Sequence, residues 1–255
     1  MLRGIYSAAA GMLAQNVLTD NLANNIANVS TTGFKKVSTA FQAFDDVLMS
    51  EMKNGNQRPL GKYAASVVPQ GSYVNYAQGA IAQTGNNFNV ALNGEGFFKV
   101  SLPNGDEAYT RDGHLSANSQ GVLTTVDGNK ISGKGGEIQL PQGYTEMQIR
   151  TNGEVLVFQP GQTQPQIVGQ LDVVNFDNPQ KLQKIGANLY TSEESPNNNT
   201  QNTTVEQGSL ELSNVNVIRE MVDSMQGMRT YEILQKSIHM QNDTLGKAVN
   251  DVGKV

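Results

Sequence analysis

The sequence predicts an α+β protein: a mostly antiparallel β domain flanked by long N- and C-terminal helices that pair as an antiparallel coiled coil. Three observations predict it. Apolar residues recur at helical spacing near both ends of the chain. Asn-Gly and Asp-Gly pairs punctuate short β-branched and aromatic runs in the middle. The composition, 38% hydrophobic and 16% charged with 26 glycines, suits a loop-rich β domain with polar connecting segments.

Residues 1–36 read as an N-terminal assembly helix. Leu2, Ile5, Ala9 and Met12 are followed by Leu18, Leu22, Ile26 and Val29 at intervals of three and four, which draws one apolar stripe. Gln15, Asp20, Asn21 and Asn24 lie opposite, and the helix is expected to stop near Ser30–Gly33. Residues 37–75 read as a connector punctuated by Gly and Pro, and 76–195 as the β-rich outer domain. Turn signals there are Asn104-Gly105, Asp112-Gly113, Asp127-Gly128, Asn152-Gly153 and Asn178-Pro179. Residues 196–212 read as a polar linker. Residues 213–255 read as the C-terminal assembly helix, with Asn214 or Asn216 as N-cap. Its stripe runs through Ile218, Met221, Met225, Met228, Tyr231, Leu234 and Ile238 to Leu245 and Val249, broken mildly at Gly227 and Gly246. The two apolar faces can cover one another or those of neighbouring subunits.

Composition excludes several functions. A net charge of −5 carries no electrostatic footprint for nucleic acid. Lys35-Lys36 is the largest basic cluster, and a lone pair of this kind reads as a solvated surface feature. The absence of cysteine excludes a disulfide framework and a thiolate metal site, and two histidines leave little for a histidine site. No run reaches the ~20 apolar residues of a membrane helix. The N-terminal segment carries Ser7, Gln15, Asn16 and Asp20 where a secretory signal has a continuous apolar region, so export is expected to use a route without a cleaved signal. Gly94 and Gly96 around Glu95 read as a turn or bulge entering a strand, because no Lys-Ser/Thr helix follows. Asp106, Glu107, Asp112 and His114 could be drawn as an acid/base set; they fall in expected turns without a nucleophile, and no catalytic residue is assigned.

Four motifs in order carry a resemblance. They are the run Asn21 to Lys35; Val90 to Val100 followed by Ala108 to Gly113; Gly169-Gln170-Leu171 with Leu189-Tyr190; and Ser213-Asn214-Val215-Asn216-Val217 with Arg229-Thr230-Tyr231-Glu232. Together they resemble the flagellar axial proteins of rod and hook, most closely the FlgF/FlgG-like rod proteins. The stretch from Asp45 to Tyr76 is shorter than the insertion usual in the distal rod protein, and the ending Leu245 to Gly253 looks more like the FlgF-type branch.

The resemblance implies a structural subunit of the bacterial basal-body rod, polymerising helically into part of the drive shaft. The paired terminal helices would face the axis, with the β domain outside. It implies export by the flagellar type III apparatus, with partners in the chain itself and the other rod and hook axial proteins. It implies no enzyme activity, cofactor, metal, nucleic acid or small-molecule substrate. The expected assembly interface comprises Leu2, Ile5, Met12, Leu22, Asn25, Ile26, Asn28, Val29, Ile218, Met221, Met225, Met228, Tyr231, Leu234 and Ile238. The asparagines are expected to act as an inter-subunit polar lock. The rival reading is an exported β-rich carbohydrate-binding or carbohydrate-acting surface protein; with no Trp and 6% aromatic residues, the chain offers little for sugar stacking.

Overall fold

The computed structural model describes residues 2–43, 46–53, 56–64, 67–162, 164–186, 188–197 and 203–252. The chain divides into two units. One comprises the terminal helices with residues 37–74, and the other comprises 28–36 with 75–215.

In the first unit, α1 (Leu2–Ala27) and α2 (Val217–Val252) run 26 and 36 residues. Asn216 caps α2, its Oδ1 accepting from Arg219 N at 3.1 Å. Helix α1 stops at Ala27, before the Ser30–Gly33 stretch where the glycine signal had placed its end. Residues 37–75, expected as a connector, form strands: β1 (Val37–Ala43) pairs with β4 (Val67–Val74), and β2 (Asp46–Lys53) with β3 (Asn56–Ala64), both antiparallel. Asn21 Nδ2 joins α1 to this ladder, donating to Thr39 Oγ1 (2.6 Å) and Ser72 Oγ (2.9 Å).

The expected coiled coil requires correction. Along the two helices, Gly4 faces Gln241, Gly11 faces Leu234, and Gly227 faces Gln15 and Thr19. A Cβ on Gly4 would lie 2.6 Å from the Gln241 side chain, and one on Gly11 3.2 Å from Leu234. Glycines thus admit Gln241, Leu234, Gln15 and Thr19 to close contact, where a coiled coil interlocks large apolar knobs from both helices. The orientation of α2 is set by Glu220, fully buried and accepting from Asn25 Nδ2 at 2.9 Å. At 3.6 residues per turn, pointing Glu220 inward carries Ile218, Met221 and Met225 at least about a quarter-turn away. The methionine half of the expected stripe consequently faces outward.

Among the described residues, the second unit is all β apart from one 3₁₀ turn at Pro179–Lys181. Its strands are β5 (Ile81–Gln83), β6 (Val90–Asn93), β7 (Phe97–Ser101), β8 (Glu107–Thr110), β9 (Leu115–Ala117), β10 (Leu123–Thr125), β11 (Lys130–Gly133), β12 (Gly136–Glu137), β13 (Glu146–Ile149), β14 (Glu154–Phe158), β15 (Gln166–Gln170), β16 (Val173–Val174), β17 (Gln183–Gly186), β18 (Leu189–Thr191), β19 (Thr204–Gln207) and β20 (Ser209–Glu211). The main sheet runs β17-β18-β8-β7-β11-β10-β9, with β12 on β11 and β16 on β7. Separate ladders join β13-β14-β15, β19-β6 and β20-β5, and every pairing is antiparallel. The core gathers Leu92, Phe98, Val100, Leu123, Ile131, Val155, Val157 and Leu171 from these sheets.

The Asn104-Gly105, Asp127-Gly128 and Asn152-Gly153 signals each close a hairpin whose glycine has positive φ. In all three that glycine's N–H donates three residues back, to Leu102, Thr125 and Arg150. Asp112-Gly113 serves a different purpose. A Cβ on Gly113 would lie 1.5 Å from Val90 O, so the glycine admits the backbone of β6 to direct contact, and Val90 N donates to Gly113 O at 2.9 Å.

Candidate assembly interface

Within the β unit, residues of two of the motifs, Lys35 and Arg111, meet at Glu211. Lys35, from the N-terminal signature, is 1% exposed, and its Nζ lies 2.5 Å from Glu211 Oε1 at the end of β20. Arg111, just past β8, contacts Glu211 Oε2 through Nη1 at 3.1 Å. Gly79 N donates to Glu211 Oε1 at 2.9 Å. Both cations also donate to carbonyls, Lys35 Nζ to Ala77 O (3.0 Å) and Arg111 Nη2 to Gly94 O (2.7 Å), while the buried Arg111 Nε makes no hydrogen bond among the described residues. Burial pulls the Lys35 ammonium below the usual lysine range, and the Glu211 carboxylate opposes that pull. Arg111 is lowered by burial in the same way, again opposed by Glu211.

A second layer of polar contacts seals this clasp. Thr32 Oγ1 donates to Asp112 Oδ1 at 2.6 Å, and Asn188 Nδ2 donates to Thr32 O at 2.8 Å. Asn214 Oδ1 accepts from Lys36 N (2.7 Å), while its Nδ2 donates to Asn75 O and Ala77 O, each at 2.8 Å. Phe34 is buried with Lys184 Nζ 4.2 Å from its ring centre. Burial raises the Asp112 carboxyl above its ordinary value against these hydrogen bonds. The signature Thr32 to Lys36 thus holds its own unit together. Lys35 is no solvated surface residue, because Glu211 supplies the countercharge that makes its burial tolerable. Arg111 and Glu211 had no assigned role in the sequence reading, and Asn214, offered there as an N-cap of α2, serves this clasp while Asn216 caps the helix. The one available signal was an acidic residue flanked by Leu210 and Leu212.

The expected interface residues separate into groups. Leu22 and Asn25 are buried in the helical unit. Asn25 Nδ2 donates to Val37 O (2.8 Å) as well as to Glu220, and its Oδ1 accepts from Val37 N (2.9 Å), so this asparagine ties α1 to β1 and α2. Ile5, Met12, Ile26, Tyr231, Leu234 and Ile238 are half-buried, as are Asn28 and Val29 beyond the end of α1. Leu2 occupies the first position of α1. Ile218, Met221, Met225 and Met228 are 73%, 49%, 49% and 51% exposed and form one outward face of α2. Tyr6 and Leu13 of α1 are exposed too, without having been expected at the interface. Of the residues drawn as an acid/base set, Asp106, Glu107 and His114 are exposed, and Lys99 Nζ pairs with Glu107 at 2.6 Å.

Residues 91–157 match the family model described as the D1 domain of the flagellar hook protein FlgE/F/G, and 206–251 match the C-terminal model of the flagellar basal body rod FlgEFG protein. The flagellar basal-body rod protein FlgG of Buchnera aphidicola subsp. Schizaphis graminum is 36% identical over 262 residues, covering 97% of this chain and 98% of the relative. The chain belongs to the flagellar basal-body rod protein family. FlgG of Borreliella burgdorferi is 33% identical over 98% of both chains. The FlgF of Caulobacter vibrioides is 32% identical over 92% of both, against 33% for the FlgG of the same organism, so identity does not separate the two branches. A member of this family is a structural subunit of the rod, sits in the flagellar basal body, and assembles with other rod and hook axial proteins. The carbohydrate reading finds no support among these relatives.

Proposed function

We propose that the chain polymerises helically as part of the drive shaft, and that the outward faces of α1 and α2 supply the contacts between subunits. One observation carries the reading: Ile218, Met221, Met225 and Met228 expose an apolar face at helical spacing on a helix whose opposite face is already occupied by α1. Such a face costs solubility in a free monomer and is stabilising once a neighbour covers it. Tyr6 and Leu13 extend the exposed apolar surface onto α1. Leu22 and Asn25 shape the subunit itself, and the half-buried Ile5, Met12, Ile26, Tyr231, Leu234 and Ile238 contribute their outer edges.

The role is mechanical, and we assign no catalysis, cofactor or nucleic-acid binding. Lys35 and Arg111 are both held by Glu211 inside the β unit, which suits a structural clasp. The chain reaches its site through the flagellar type III apparatus, and its domain plan is an assembly unit of terminal helices and a separate β unit. Replacing Met225 with Asp tests the reading, because the charge would be buried unpaired in the assembled rod. Cells with M225D should make normal amounts of folded protein and lose motility. Full motility with M225D would overturn the assignment of this face.

A further inference from the structure

Methionine is the only sulfur-bearing side chain in this protein, which has nine Met and no Cys. Three of them, Met221, Met225 and Met228, share the outward face of α2 at intervals of four and three, each about half exposed. Met147, in contrast, is 2% exposed inside the β core. Met240 is also exposed, about three turns beyond the cluster.

Thioether sulfur is soft, polarisable and readily oxidised when accessible. We infer that Met221, Met225 and Met228 form a sulfoxidation site whose oxidation state sets whether the free subunit can join the rod. The co-reactant is a hydroperoxide. Its terminal oxygen is transferred to sulfur: the O–O bond breaks, an S–O bond forms, the sulfur lone pair supplies the two electrons, and the peroxide leaves as water or an alcohol. The thioether is oxidised by two electrons and the peroxide reduced by two. A sulfoxide oxygen is a strong hydrogen-bond acceptor, and burying it against an apolar neighbour leaves it without a donor. Three on one face therefore turn the proposed contact surface from apolar to polar, while Leu at the same positions keeps the volume and removes the chemistry. In the assembled rod the same sulfurs would be covered, so oxidation acts on the free chain.

This inference rests on the assembly face proposed above, and the test separates the two. Purified full-length chain is treated with hydrogen peroxide and mapped by peptide mass spectrometry, reading the gain of about 16 Da per oxygen. Met221, Met225 and Met228 should gain oxygen about tenfold faster than Met147, following exposure. Binding is then measured to basal bodies isolated from cells lacking this chain. Oxidised wild type should bind about tenfold more weakly, methionine sulfoxide reductase should restore binding, and M221L/M225L/M228L should bind equally before and after peroxide. Unchanged binding of oxidised wild type, or an equal loss in the triple leucine variant, would overturn the inference. If untreated M225D binds as well as untreated wild type, the assembly face itself is misassigned, whatever the oxidation map shows.

Discussion

Glu211 is the anion on which the clasp of the β unit depends, so removing it should be among the most damaging single changes. Its carboxylate holds Lys35 at 2.5 Å and Arg111 at 3.1 Å, and also accepts from Gly79 N. All three charged side chains are at least 96% buried on the exposures of 1%, 4% and 1%. In Glu211→Ala, two cations remain in a site that cannot hydrate them. Breaking a buried pair in this way costs about 3–5 kcal/mol. That is a large share of the ~5–15 kcal/mol that stabilises a typical domain. At roughly 2–4 °C per kcal/mol for a domain of this size, Tm should fall by about 6–20 °C. Thermal unfolding followed by the β-sheet circular dichroism signal measures it. Glu211→Gln, which keeps the shape and loses the charge, should fall between wild type and Ala. A Tm for Glu211→Ala within about 2 °C of wild type would refute the reasoning, since it would put the cost below about 1 kcal/mol.

Further outcomes follow from the other polar contacts. Asn25→Ala removes two hydrogen bonds to Val37 and one to Glu220, and should destabilise the helical unit by about 2–4 kcal/mol; hydrogen exchange should accelerate in α1 and β1 while the β core stays protected. For Asp112, burial raises the folded-state pKa above the unfolded one, so its stabilising contribution is present below the unfolded value and lost as pH rises through the folded value. Asp112→Asn does not titrate, so its Tm relative to wild type should improve between pH 3 and pH 7, and a relative decline would contradict the assignment.

Part of this architecture was legible in the sequence. The 3.6-residue spacing located both helices, since apolar periodicity needs only one buried stripe to be visible. Asn104-Gly105, Asp127-Gly128 and Asn152-Gly153 announced hairpins because those turns demand a left-handed residue. The facing of α2 was not legible. Gly227 read as a mild break in the stripe and proved to be a point of close approach to Gln15, and periodicity alone left open whether the apolar face meets α1 or a neighbouring subunit. Residues 37–75 hid their strands behind Gly61, Pro59 and Pro69, which normally argue against a ladder. The clasp was invisible for another reason: Lys35, Arg111 and Glu211 lie 76 and 100 residues apart in sequence, and each looks ordinary until the fold joins them.

The central claim is that the outward face of α2 lies against a neighbouring axial subunit in the rod. A photo-crosslinking amino acid placed at Met225, which is 49% exposed, tests it in intact basal bodies. The account predicts a crosslink from Met225 to another axial subunit, with none formed by the same protein while it is free in solution. A crosslink only within the chain, or no crosslink in basal bodies that contain the protein, would contradict it.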